Sequence, residues 1–313
     1  MQVLPTTLGI VLLTVLVGLA WSVIEPYTVD RKGLEITLPH LPNVWDGRVV
    51  AVMADLHVGM RMANLSTIRR IVAELVARRP AAVLVAGDFV YEGQRDPTGI
   101  ARRAAALLAP LVNAGLPAFA VLGNHDYAMP SRDDEPDERV AQAVRAALEE
   151  VGIRVLENET LPLQPPDGGE TKREAETLYL AAIGARVPDR DHPAETVAQL
   201  PAQAARIVLM HHPDSFEALP AGTAPLAVAG HTHGGQFRIP FTPKWTWMTY
   251  AEEDVVHPDG WIPGFGAKGN RLYVNRGIGF SVLPLRLNCP PEVTYLTLRV
   301  PAPKDVSCRP VDI

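Results

Sequence analysis

Five short polar clusters punctuate this 313-residue chain. They are Asp55-Leu56-His57, Gly87-Asp88, Gly123-Asn124-His125-Asp126, His211-His212 and Gly230-His231-Thr232-His233. Taken singly, an Asp-x-His is a surface polar pair and a Gly-Asp is a turn. In series, each closing a short apolar run, they offer what two adjacent divalent ions need: oxygen and imidazole ligands in numbers no single loop supplies, and a carboxylate able to bridge. Asp55 and His57, like His231 and His233, are spaced two apart, so extended backbone would turn each pair to one side. The glycine before a ligand permits the sharp turn and close backbone approach that end a strand at an ion.

Other chemistries are poorly served. The chain has no GxxxxGK[ST] loop, which sets aside P-loop phosphoryl transfer. Cys289 and Cys308 are too few for a disulfide framework and form no CxxC pair. A formal net charge of −6 lacks the basic excess of a nucleic-acid binder, so no nucleic acid is expected; no feature of the sequence predicts a protein partner.

The elements that must position the clusters can be read from periodicity. Residues 48–54, 81–86, 117–122, 207–210 and 226–229 are apolar runs expected to be buried strands, and each ends in a cluster. Helical periodicity covers 64–78, 97–114 and 136–151, with the acidic run at 133–138 suiting a helix start. Later strands at 177–183, 272–275 and 293–300 suggest a second sheet, and 164–176 is a polar surface loop. The pattern predicts an α/β domain of two packed β-sheets flanked by helices, over residues 48–313. Residues 27–47 read as an extended linker and edge strand. Residues 1–26 read as a membrane anchor: 1–24 carry no ionisable side chain, 8–24 are apolar, and Trp21 and Tyr27 stand where interfacial aromatics sit. No basic residues precede the run, as they would in a signal peptide, and Arg31, Lys32 and Arg48 follow it. That bias places the catalytic domain on the cytoplasmic side of a single-pass cell-membrane protein.

The five blocks, in this order, resemble the signature of the calcineurin-like metallophosphoesterase superfamily. LPHLP at 38–42, GHTHGGQFRIP at 230–240, and VNRGIG with CPPEVTYLTLR at 274–299 resemble its bacterial membrane-anchored branch. The resemblance implies a four-layer fold and two divalent ions, Mn, Fe or Zn. Asp55, His57 and His233 would hold one ion, and Asn124, His211 and His231 the other, with Asp88 bridging. His211 is preferred to His212 because the branch pattern is His, any residue, Pro, Asp; His212 would point elsewhere. His125 would stabilise or protonate the leaving oxygen, with Asp126 orienting its imidazole. A bridging hydroxide would attack phosphorus in line.

The substrate is narrowed by a departure from the protein phosphatases of this superfamily, whose second block reads GDxVDRG. Here it is GDFVYEG, with Glu92 in place of the arginine, so that class is disfavoured. Arg276 could contact phosphate instead, or serve backbone carbonyls. The aromatic, Pro- and Gly-rich stretch 241–265 could lid an amphiphilic substrate or close its own small core. Anchor and aromatics together point to a phosphodiesterase or pyrophosphatase acting on a lipid-linked phosphoester, as in the related UDP-diacylglucosamine pyrophosphatases. The alternatives are a tethered phosphomonoesterase and a non-catalytic phosphate-binding module.

Overall fold

The computed structural model describes residues 3–60, 64–91, 95–165, 177–238, 246 and 257–302. Glu92, Cys308 and nearly all of the 164–176 and 241–256 stretches lie outside the described residues. The elements are α1 (Val3–Ile24), β1 (Asp30–Thr37), β2 (Val49–Met53), α2 (Leu65–Arg78), β3 (Ala82–Ala86), α3 (Pro97–Asn113), β4 (Ala118–Val121), α4 (Glu138–Glu150), β5 (Arg154–Val155), β6 (Glu159–Leu163), β7 (Leu178–Ala182), α5 (Pro193–Ala198), β8 (Ala205–Leu209), β9 (Ala227–Ala229), β10 (Gly260–Trp261), β11 (Leu272–Val274) and β12 (Glu292–Arg299).

Two mixed six-stranded sheets form, in the orders β1-β12-β2-β3-β4-β5 and β10-β11-β9-β8-β7-β6. Strand alternation builds the layers. Val50, Val52 and Leu84 of the first sheet meet Leu180, Ile207 and Val228 of the second in the core between the sheets. The alternate residues Ala51, Met53, Val83 and Val85 face Ile68, Ile71, Leu108 and Val144 of α2, α3 and α4. On the far side Ala181, Val208 and Ala229 pack against Phe216 and Val197. The helices start where their caps allow. Asp96 accepts the Gly99 N–H at 2.9 Å ahead of Pro97, and Asp137, at the end of the acidic run, accepts the Arg139 N–H at 3.0 Å.

The predicted second sheet is corrected in one strand. β7 and β11 belong to it, but β12 lies in the first sheet, antiparallel to β2 and parallel to β1. Proximity in sequence to other late strands carried no information about that return. The eight-residue register from Asp30↔Glu292 to Thr37↔Arg299 makes β1 the edge strand.

Helix α1 has 22 residues, about 33 Å at 1.5 Å per residue, enough to cross a hydrocarbon core of roughly 30 Å. Its apolar side chains are exposed through most of its length. Its last turn and the 3-10 turn Glu25–Tyr27 that follows are built into the domain: Ser22, Glu25 and Pro26 are buried, and the Pro26 carbonyl accepts from Asn64 Nδ2 at 2.5 Å.

Ile207 is fully buried between the sheets. Ile207→Ala should cost about 2–5 kcal/mol of unfolding free energy, measured by urea denaturation of the full chain in detergent micelles.

Candidate metal centre

The five clusters converge where strands of both sheets end. Asp55 and His57 follow β2, Asp88 follows β3, Asn124 and His125 follow β4, His211 and His212 follow β8, and His231 and His233 follow β9. They arrive by left-handed turns. φ is +53° at Asp55, +47° at His57, +57° at Asp88, +73° at His231 and +50° at His233. The expected extended pairing is thereby corrected. His57 and Asp55 do meet, but His231 and His233 part into different groups, because a left-handed residue breaks the alternation of side chains.

One group contains Asp55, His57, Asp88 and His233, and the other His211, His212 and His231; within each, candidate ligand atoms lie within 4.8 Å of one another. Asp88 stands between them. Its Oδ2 is 3.1 Å from His57 Nε2 and 3.3 Å from His211 Nε2, and its Oδ1 accepts the His125 N–H at 3.0 Å. His57 Nε2 also faces His233 Nε2 at 3.2 Å. The Asn124 amide is fixed by donation from Nδ2 to the Met129 carbonyl at 2.6 Å, which aims Oδ1 at His211 Nε2, 3.2 Å away. His211 Nδ1 donates to the Ala86 carbonyl at 2.7 Å, so Nε2 is the nitrogen presented to the centre. Lone pairs converging in this way suit cations better than they suit one another.

Space at the centre is as tight as the ligand set requires. A Cβ on Gly123 would fall 2.2 Å from Asp88 Oδ1, and one on Gly277 2.4 Å from Asp55 Oδ2. Burial keeps most of the imidazoles neutral, the form that coordinates metal. Desolvation, with repulsion from neighbouring histidines, drives His57 down to about 4, His231 to about 3, and His233 and His212 well below the usual range. His211 is the exception. Burial opposes its charge, but Asp88 lifts it to about 9. Asp88 itself, despite burial, is held well below the carboxylate range by His211 and His125. Burial raises Asp55 to about 7, against the pull of His211.

Three expectations change. His212 does not point away, since its ring lies 4.3 Å from that of His231. Its Nδ1 accepts the Arg186 N–H at 3.3 Å, so a neutral His212 carries its proton on Nε2 and has no lone pair there for an ion. Asp126 does not touch the His125 ring. Its carboxylate accepts four backbone N–H groups, from Asp88 (3.0 Å), Phe89 (2.8 Å), Val90 (3.2 Å) and Gly123 (2.9 Å), and so pins two ligand loops together. His125 is oriented instead by donation from Nδ1 to the Tyr91 carbonyl at 3.0 Å, with the Tyr91 ring stacked on it. A carboxylate with all its acceptor directions filled by backbone has none left for an imidazole. Arg276 is not free for phosphate: Nε lies 2.7 Å from Glu292 Oε2 and Nη2 2.5 Å from Asp30 Oδ2. Sequence reasoning missed the tyrosine carbonyl, which has no side-chain signature. It also missed Arg286, whose buried guanidinium donates to the His233 carbonyl at 3.3 Å.

The calcineurin-like phosphoesterase family model matches residues 48–235, the span that holds every predicted ligand. This chain belongs to the calcineurin-like phosphoesterase family. Phosphodiesterase YaeI of Escherichia coli is 32% identical over 80% of the chain and 81% of its own length. The uncharacterized metallophosphoesterase YkuE of Bacillus subtilis is 26% identical, over 88% of the chain and 87% of its own length. The UDP-2,3-diacylglucosamine pyrophosphatase LpxG of Chlamydia muridarum is 21% identical over 87% of the chain and 90% of its own length. The phosphoesterase is thus a metal-dependent hydrolase, and its buried His/Asp groups fit a dinuclear site.

Asp126→Asn should lower unfolding free energy by about 1–3 kcal/mol, because the amide nitrogen confronts N–H donors that the carboxylate satisfied. A residue that only oriented His125 would change turnover and leave the urea midpoint in place. Gly123→Ala should reduce bound metal from two ions per chain towards one, read by elemental analysis after dialysis against Mn²⁺, because the added Cβ displaces the Asp88 carboxylate.

Proposed function

We propose that this phosphoesterase is a dinuclear phosphodiesterase or pyrophosphatase acting on a membrane-associated, lipid-linked substrate. The observation that carries the reading is the placement of Asp88 Oδ2 within 3.1–3.3 Å of one imidazole from each group. Asp55, His57 and His233 would hold one ion, Asn124, His211 and His231 the other, and Asp88 both. When bound, two such ions lower the pKa of a water and take up charge on the phosphoryl oxygens. Mixed nitrogen and oxygen donors suit Mn, Fe or Zn.

The protein's own part is positioning and proton transfer. Asn124 is locked by Met129, and the His231 N–H donates to both Asp55 oxygens at 3.0 and 3.2 Å, holding that carboxylate in one orientation. With Nδ1 donating to the Tyr91 carbonyl, His125 presents Nε2 as the atom that gives a proton to the leaving oxygen. A cavity of about 470 Å³ includes Met129 and Arg186, whose backbones bond Asn124 and His212, and its wall mixes Arg132 and Arg190 with Glu138, Glu157 and Asp189.

Similarity to a phosphodiesterase and to a lipid-precursor pyrophosphatase supports the substrate class. Membrane attachment is supported by the span Thr7–Tyr27. Burial of Ser22, Glu25 and Pro26 in the catalytic domain favours an anchor that is kept over a leader that is removed. The domain division at 26 and 47, a single pass and a cytoplasmic catalytic domain belong to the same proposal, the last on the basic residues after the span.

Purified full-length protein with Mn²⁺ should hydrolyse bis(p-nitrophenyl) phosphate faster than p-nitrophenyl phosphate. Asp88→Asn should lose both metal and turnover. His125→Ala should keep two ions and lose roughly 10²–10⁴ in kcat. Two bound ions without turnover of either compound would favour a phosphate-binding module.

A further inference from the structure

The exit of α1 and the metal centre are joined through the 279–289 loop. The Arg286 backbone N–H donates to the Ser22 carbonyl, in the last turn of the helix, at 3.1 Å. Its guanidinium, fully buried, donates to the carbonyls of Gly279 (2.8 and 3.1 Å), Arg276 (2.9 Å), Cys289 (3.1 Å) and His233 (3.3 Å). One arginine side chain therefore separates the apolar helix from the backbone of a predicted ligand. Glu25 adds a second tie by accepting the N–H groups of Asn288 (2.7 Å) and Cys289 (2.6 Å). Gln236, three residues after His233, adds a third: Nε2 donates to the Ser281 and Leu283 carbonyls at 2.8 Å each, and Oε1 accepts the Ser281 N–H at 2.7 Å.

Held by these ties, the loop presents two aliphatic side chains outward. Val282 is 63% exposed and Leu283 49%. Val282 has φ +61°, a conformation that β-branched residues rarely adopt. A clamped loop that strains a valine in order to expose it is built to place it against something apolar. The neighbouring surface is the exit of α1, where Trp21 (47%) and Tyr27 (45%) are exposed as well. The headgroup layer is roughly 5–8 Å deep on each side of the hydrocarbon core, comparable with the reach of one arginine side chain.

We propose that Val282 and Leu283 insert into the bilayer interface beside α1, so that the metal centre works at headgroup depth on phosphoesters or pyrophosphates of lipids that stay in the membrane. The proposal rests on α1 being a retained anchor and on the hydrolase reading above. The loop is continuous with the anchor through Arg286 and Ser22, which fixes the partner as the same bilayer that α1 crosses.

The test uses the full chain in vesicles of phosphatidylethanolamine and phosphatidylglycerol. Val282→Cys, in a Cys308→Ser background and carrying an environment-sensitive nitrobenzoxadiazole label, should emit at shorter wavelength and be quenched by lipids bearing a nitroxide near the headgroup. A Val282→Asp/Leu283→Asp variant, whose first aspartate tolerates the left-handed φ better than valine does, should keep bis(p-nitrophenyl) phosphate turnover. It should lose at least tenfold on a diacylglycerol p-nitrophenyl phosphodiester in the same vesicles. Unshifted, unquenched emission overturns the insertion. Equal effects on the two diesters, or a wild type that cleaves only the soluble one, overturn the substrate class. Absence of turnover on either diester brings down the hydrolase reading instead, and label emission then still decides where the loop lies.

Discussion

The rest of the structure is arranged around a carboxylate that should not be easy to bury. Asp88 is 1% exposed and lies within 3.3 Å of imidazoles from two sheets. Taking such a charge out of water costs several kcal/mol unless positive charge and hydrogen bonds compensate. The His125 N–H and the imidazoles of His57 and His211 face it, and its charge in turn lifts the His211 imidazole to about 9. Two cations held by the same side chains would supply that counter-charge from both sides. The fit of the site to metal follows from how its carboxylates and imidazoles face one another.

Assembly of this kind has a backbone cost. Five of the predicted ligands are left-handed, a conformation that costs non-glycine residues of order 1–3 kcal/mol each where it is forced, although Asp and His tolerate it better than most. What holds them is hydrogen bonding of the turns themselves. Asp126 closes the turns after β3 and β4 with four N–H donors, and Asp55 closes the turn after β9 through the His231 N–H. Asp126 reaches from the loop after β4 to the one after the neighbouring β3, and Asp55 reaches from the first sheet to the second. The strain is local and its relief is long-range, so the turns keep their shape only in the folded domain.

Much of this was legible in the sequence. Short apolar runs, helical periodicity, the glycines before ligands and the order of the five clusters were enough to give the layers, the helices within a residue or two and the convergence of the histidines. The unread parts share a physical cause. The return of β12 to the first sheet, the Tyr91 carbonyl behind His125 and the four N–H groups around Asp126 are all backbone pairings, and a main-chain group carries no residue identity. The part of Asp126 was misread, and that of Arg276 left open, for the related reason that a charged side chain in a motif looks functional until its partners are known. Arg276 spends its donors on Glu292 and Asp30, on strands far from it in sequence.

The segment matched by the family model ends at residue 235, yet the centre is not closed there. After β11 the chain crosses from the second sheet to the first, where the Ile278 and Gly279 N–H groups donate to the Ala54 and Asp55 carbonyls at 3.0 and 2.6 Å. Gly277 then lies against the Asp55 carboxylate too closely for any side chain, and β12 enters the first sheet between β1 and β2. β12 in turn orders β1, and β1 leads back to the buried turn at Glu25. The wall behind Asp55 is thus made of backbone from beyond the ligand-bearing segment, and that backbone is held by the residues that follow the apolar helix. Ligand identity resides in residues 55–233, but ligand geometry depends on both ends of the domain, because only there does the first sheet acquire the strands that complete it.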